Sequence, residues 1–260
     1  MHFSCPNFTG LSPVYAILVP MNIILFAELK DVNTLSMADE RAIHIKKILR
    51  LKEGDSFIAG VVNKGKGKAA ITKMDEKNLE FSFVMEDERS ACLYPVTLLV
   101  GQVRPICMRR ILREAVSLGV ERIILCSTDT GEKSYAKANL YTSGEYRSVL
   151  LDGAMQSGFC GLSTVEFASS IREAMHLLAP DETRLVLDNV REGVRLASLE
   201  LQNDPKVVLA IGPERGFSDN ERDIFSLHGF VFTSFGKRIL RTETACSAAL
   251  GVLLGRMNLL

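Results

Sequence analysis

The chain has 260 residues, 47% of them hydrophobic, enough to bury one large core or two modest ones, so disorder is excluded as the dominant state. Lys and Arg together number 31 and Asp and Glu 31, so the molecule as a whole has no bulk attraction for nucleic acid or anionic lipid. Any polyanion site must come from uneven placement of charge.

Residues 1–20 contain only a short apolar run, Val14 to Val19, far below the roughly 18 to 20 residues of a spanning helix and without a preceding basic residue. They are expected to form an unstructured extension or an upstream start, with no membrane partner, because regular patterning begins at Met21. From Met37 to Leu51, Ile43, Ile45, Ile48, Leu49 and Leu51 mix with Arg41, Lys46, Lys47 and Arg50 in a short basic helix. The β-prone runs Phe57–Val62, Ala69–Met74 and Leu79–Met85 follow, and Lys64-Gly65-Lys66-Gly67-Lys68 reads as a basic hairpin tip. Residues 21–90 are therefore expected to form a small β-rich module. Between Arg41 and Lys73 nine basic residues stand against two acids, a local charge of plus seven that fits a phosphate-binding face or a solvated lysine-rich one.

After Pro95 the grammar changes to strands alternating with helices, so residues 91–260 are expected to form a second domain, an α/β fold with a parallel sheet covered on both faces. Val96–Val100 and Arg122–Cys126 are strands around a helix that starts at Pro105 and stops at Gly119. Leu140–Met155 and Ser169–Leu178 read as helices, Arg184–Leu187 and Val207–Ile211 as buried strands. Ser218–Leu227 (helix), Phe230–Phe235 (strand) and Thr244–Met257 (helix) complete the chain.

Several chemistries are missing. Neither a P-loop nor a Rossmann glycine pattern occurs. Cysteines 5, 92, 107, 126, 160 and 246 stand alone and the four histidines share no ligand spacing, so no metal is expected and a reduced, cytoplasmic setting is. Two loops remain. Ile211-Gly212-Pro213-Glu214-Arg215-Gly216-Phe217-Ser218 leaves an apolar strand and enters a helix through a Ser218/Glu221 capping box. Glycines and a proline there leave backbone donors open to a ligand, or form an ordinary strand-to-helix turn. Phe235-Gly236-Lys237-Arg238-Ile239-Leu240-Arg241-Thr242-Glu243 crowds three basic residues and one acid before the last helix, whose first N–H groups are free to bind an acceptor. Ile239 and Leu240 are expected to be buried or to line an apolar slot; the alternative is a solvated basic turn.

These two loops resemble the RsmE family of the SPOUT methyltransferases. Ile211 to Glu221 is similar to the pattern I-G-P-E-G-G-F-s-x-x-E, and Phe235 to Ala245 to L-G-x-R-I-L-R-T-E-T-A; His44-Ile45, Leu49-Arg50 and Gly54-Asp55 add a third match, and Glu114-Ala115 with Leu118-Gly119-Val120 a fourth. Arg215 stands in place of a glycine, Phe235 in place of a leucine, and Asp152 to Gly158 keeps only part of another family run. The resemblance covers residues 21–260 and implies a small N-terminal PUA-like RNA-binding β-barrel and a C-terminal SPOUT α/β domain with a trefoil knot. It implies a homodimer and S-adenosylmethionine-dependent methylation of nitrogen 3 of a uridine in 16S ribosomal RNA, free or in the small ribosomal subunit.

Carried onto this chain, the implied cofactor-binding residues are Leu187, Ile211, Gly212, Pro213, Glu214, Gly216, Phe235, Gly236, Ile239, Leu240, Thr244 and Ala245, with Arg241 and Glu243 catalytic. Arg41, His44, Lys46, Lys47, Arg50, Lys64, Lys66, Lys68 and Arg104 are the RNA-binding candidates. Two other functions share these features: a SPOUT enzyme acting on transfer RNA, and a non-catalytic ribosome-assembly factor that binds RNA but not the methyl donor.

Overall fold

The computed structural model describes residues 23–201 and 205–260, and the chain divides into two compact units. One is the described chain through Cys92 together with Met155–Gly161, the other Leu93–Ala154 with Leu162–Leu260. The expected extension, residues 1–20, lies outside the described residues.

The first unit runs β1 (Ile24–Phe26), β2 (Val32–Ser36), a helical turn α1 (Glu40–Ile43) continuing as a π-helical turn (His44–Ile48), β3 (Ser56–Val61), β4 (Gly65–Met74) and β5 (Asn78–Asp87). These strands form one sheet in the order β1-β3-β4-β5-β2, antiparallel except for the β1/β3 pair. Alternation along β5 turns Leu79, Phe81 and Phe83 inward, where Phe81 meets Phe26 at 5.6 Å and Phe57 at 5.4 Å between ring centroids. The expected hairpin tip is corrected here, because Gly65 to Lys68 belong to β4. A Cβ on Gly67 would lie 1.9 Å from the Val84 carbonyl oxygen, so this glycine serves the close approach of β4 and β5 at a bulge between Lys66 and Gly67.

Beyond Leu93 come β6 (Tyr94–Gly101), α2 (Pro105–Ser117), β7 (Val120–Cys126), α3 (Asn139–Thr142), α4 (Tyr146–Ser157), β8 (Thr164–Ala168) and α5 (Ile171–Met175). They are followed by β9 (Thr183–Leu187), β10 (Val194–Arg195), β11 (Val207–Ile211), α6 (Asp219–Leu227), β12 (Val231–Ser234) and α7 (Thr242–Arg256). The seven strands lie in the order β10-β12-β9-β11-β6-β7-β8, every pair parallel. All of β11 and Val96 to Gly101 of β6 are buried, as parallel strands covered on both faces require. Leu99, Ile124, Val186, Val208 and Ala210 pack with Ile171 and Met175 of α5 and Ile224 and Phe225 of α6. Helices α2 and α7 pack on each other and on β7 and β11.

Local departures have local causes. The single helix expected over 140–155 is two, broken where Gly144 takes φ +75°. Only Ile171–Met175 of the expected 169–178 helix is α-helical, and β8 is an edge strand that the sequence pattern does not announce. No helix among the described residues is long and apolar enough to cross a membrane.

Candidate active site

The carboxyl ends of β6, β9, β11 and β12 open onto one cleft of about 1040 Å³, the position at which open parallel sheets hold ligands. Its floor is laid by the loop after β11. Gly216 takes φ +68°, its N–H donates to the Pro213 carbonyl at 2.8 Å, and its own carbonyl accepts the Thr130 hydroxyl at 2.5 Å. A Cβ on Gly212 would sit 3.0 Å from the Gly216 Cα, so the two glycines let the loop fold back on itself.

Below the loop, Phe217 packs edge-on against Phe225 at 4.7 Å, and Phe225 against Phe230 at 4.8 Å. The capping box is formed: the Ser218 hydroxyl accepts from Glu221 N–H and the Glu221 carboxylate from Ser218 N–H. Glu221 also accepts the Asp129 N–H at 2.9 Å. Burial pushes the Glu221 carboxyl up, against the downward pull of those amide hydrogen bonds.

A second support comes from the end of β9. Asp188, just beyond the strand, accepts the N–H groups of Val190 and Arg191 and the Nε of Arg222 at 2.9 Å. Both charges of that pair are buried, with side chains 2% and 7% exposed, and Arg222 reaches Asp219 as well. The pair ties the β9 end to α6, directly behind the glycine loop.

The opposite wall is the stretch from Ser234 to Ala245. Gly236, Lys237, Arg238 and Ile239 are all exposed, and Ile239 lines the cleft at 82% exposure. Of the two expectations for Ile239, burial fails and lining of a cleft holds: its side chain borders the open space, with no element among the described residues covering it. Helix α7 starts at Thr242 without a side-chain cap, which leaves its first N–H groups to the cleft. Arg241 and Glu243 both line the space. Burial pushes the nearby Cys107 thiol up, helped by the negative carboxylates of Glu243 and Glu214.

Of the residues proposed for the cofactor, Leu187, Ile211, Gly212, Pro213, Glu214, Gly216, Phe235, Gly236, Ile239, Leu240 and Ala245 border this one cleft. Thr244 does not; it is exposed on the outer side of α7. Arg104, proposed for RNA, borders the same cleft, its N–H donating to Glu214 at 3.2 Å and its Nε to the Tyr135 hydroxyl at 3.3 Å.

The chain matches the family model of an RNA methyltransferase domain over residues 90–254 and that of an RNA methyltransferase PUA domain over residues 38–84. It is 38% identical over 247 residues to the ribosomal RNA small subunit methyltransferase E of Treponema pallidum, covering 92% of each chain. It belongs to that family. A second relative, ribosomal RNA small subunit methyltransferase E 1 of Borreliella burgdorferi, is 31% identical over 231 residues, 88% of this chain and 95% of the other. The fold is that of the Neisseria gonorrhoeae ribosomal RNA small subunit methyltransferase E, solved bound to S-adenosyl methionine, with a TM-score of 0.76 at 22% identity over 90% of this chain and 97% of that one.

In the family's PUA unit the nine-cation stretch is less free than its composition implies. Arg41 is held by Asp39 at 2.6 Å and lies over the Phe26 ring, and that pairing keeps the Asp39 carboxyl below its usual range. Lys66 donates to the Gly158 carbonyl at 3.0 Å and lies over the Phe159 ring. Lys46, Lys47, Arg50, Lys64 and Lys68 are exposed and His44 half-buried. Asp188, Arg222, Thr130 and Tyr135 carry no motif signal beyond Asp188 following a buried strand.

Proposed function

We propose that this member of the family transfers a methyl group from S-adenosylmethionine to nitrogen 3 of a uridine in the RNA of the small ribosomal subunit. The observation that carries the reading is the cleft itself, a backbone-lined glycine floor and an arginine-bearing loop facing one space at the carboxyl ends of a parallel sheet. The residues present fit the cofactor: the Gly212/Gly216 turn presents backbone rather than side chains to the cleft, and Leu187, Ile211, Leu240 and Ala245 offer an apolar lining.

When bound, S-adenosylmethionine supplies an electrophilic methyl group. The protein's part is to hold the accepting base in line and to manage one proton. Neutral uridine is a poor nucleophile at nitrogen 3, so Arg241 is assigned to stabilise the charge that develops on the base and Glu243 to orient Arg241 or to take the proton. Leu187, Ile211, Gly212, Pro213, Glu214, Gly216, Phe235, Gly236, Ile239, Leu240 and Ala245 are assigned to the cofactor. The PUA-unit candidates Arg41, His44, Lys46, Lys47, Arg50, Lys64, Lys66 and Lys68, together with Arg104 at the cleft, are assigned to ribosomal RNA, Arg41 and Lys66 being already engaged by Asp39 and the Gly158 carbonyl. A homodimer, a knotted chain path through the α/β domain and a cytoplasmic place of action complete the reading.

Mass spectrometry of nucleosides from small-subunit RNA of cells with and without the protein tests it. Loss of 3-methyluridine in the deletion is expected, and an unchanged nucleoside profile would overturn it. Arg241→Ala is expected to abolish turnover while leaving cofactor binding by calorimetry intact; retained turnover would remove Arg241 from its role. Lys46→Ala with Lys47→Ala is expected to weaken RNA binding and spare cofactor affinity, and unaltered RNA affinity would remove them from theirs.

A further inference from the structure

Arg215 sits at the turn of the glycine loop, between Glu214 and Gly216, exposed and bordering the cleft. Its guanidinium has no hydrogen-bond or ion-pair partner among the described residues. Two acids that border the cleft are engaged by other residues. The Glu214 carboxylate accepts the Arg104 N–H at 3.2 Å, and Asp188 is paired with the buried Arg222 at 2.9 Å. From the other loop Arg238 borders the same cleft, also exposed and also without a partner among the described residues. Two walls thus each present an unpaired arginine to one opening.

We propose that Arg215 and Arg238 form a two-point clamp on the phosphodiesters that flank the target nucleotide as its base enters the cleft. The clamp rests on the reading that the substrate is RNA. A guanidinium is a planar fork of donors matched to phosphate oxygens, always charged and weakly hydrated, which suits it to the backbone of a strand that carries one negative charge per nucleotide. The methyl donor is a poor occupant of both arginines, because its sulfonium and ammonium are themselves cationic and its one carboxylate needs at most one of them. A base that enters the cleft brings a phosphate on each side with it, and the loops after β11 and β12 each supply a cation for one.

The test uses the full chain, a 20-nucleotide uridine-rich single-stranded RNA as binding probe, and small subunits from cells lacking the protein as methyl acceptor. For Arg215→Ala with Arg238→Ala, RNA affinity is expected to fall about tenfold or more at low salt. The slope of log affinity against log salt should shrink by roughly 1.4, about 0.7 per lost phosphate contact on a single strand. KM for subunits should rise with kcat held, and S-adenosylmethionine affinity should stay at the wild-type value. Arg215→Lys should keep most of the salt slope, since it retains the charge. RNA affinity and slope equal to wild type would overturn the clamp, and so would a loss of cofactor affinity in place of RNA affinity, which would make the arginines ligands of the cofactor carboxylate. Wild-type protein that neither binds the cofactor nor methylates subunits would instead sink the functional reading beneath it.

Discussion

Residues 212–217 and residues 235–241 wall the same cleft, each leaving the end of a parallel strand, yet they are held in contrasting ways. The first is fastened from within and behind, by the Gly216 hydrogen bonds, the Phe217–Phe225–Phe230 stack and the Asp188–Arg222 pair. The second exposes four consecutive residues, and the side chains of Lys237, Arg238 and Arg241 have no partners among the described residues. A binding surface that is ordered before its ligand arrives spends less free energy on arranging itself. The glycine loop is therefore a preset surface, and the basic loop is one whose side chains take their partners from whatever binds.

The contrast breaks most visibly at Asp188. Asp188→Ala leaves the Arg222 side chain, 7% exposed, with the exposed Asp219 as its remaining carboxylate partner among the described residues, and truncating one member of such a buried pair costs roughly 3–5 kcal/mol. Urea unfolding of the full chain measures the loss; a cost below about 1 kcal/mol would show that the loop does not depend on this pair. Gly212→Val comes next, since its Cβ begins 3.0 Å from Gly216 and the added methyls press further, for an overpacking cost of about 1–3 kcal/mol. Cofactor affinity should drop with it, and calorimetry that found affinity unchanged would free Gly212 from the cofactor surface. At the other wall Ile239→Ser should change stability by no more than about 0.5 kcal/mol, because the side chain is 82% exposed. A larger loss by thermal unfolding would mean that the basic loop is as anchored as its neighbour.

What could be read without coordinates divides along the same line. Strands β6 and β11 are plain in the sequence because residues buried on both faces must be apolar without interruption. The glycine loop is plain because Gly and Pro between such a strand and a capping box have few other uses. Partners are harder to read. A count of nine cations says nothing of Asp39 lying against Arg41, or of the backbone carbonyl of Gly158, far along the chain, receiving Lys66. Spacing did not reveal that Ile239 is left exposed by the described residues, or that Gly67 serves a strand contact where Gly144 serves a break, since these depend on what lies across from each residue. Edge strand β8 escaped because only Ala168 of it is buried, which leaves almost no alternation to detect.

The place of β11 in the sheet has a kinetic side. It pairs Val207 with Val96 on one flank and with Thr183 on the other, so the strand that carries the glycine loop joins partners from distant parts of the chain. Long-range parallel pairing must meet its loop-closure entropy before any contact rewards it, and such pairings form slowly. During synthesis β6 leaves the ribosome long before β11 exists to cover it, with an apolar edge waiting. The floor of the cleft is thus among the last parts of the molecule to assemble, and this domain would be the slow step of folding.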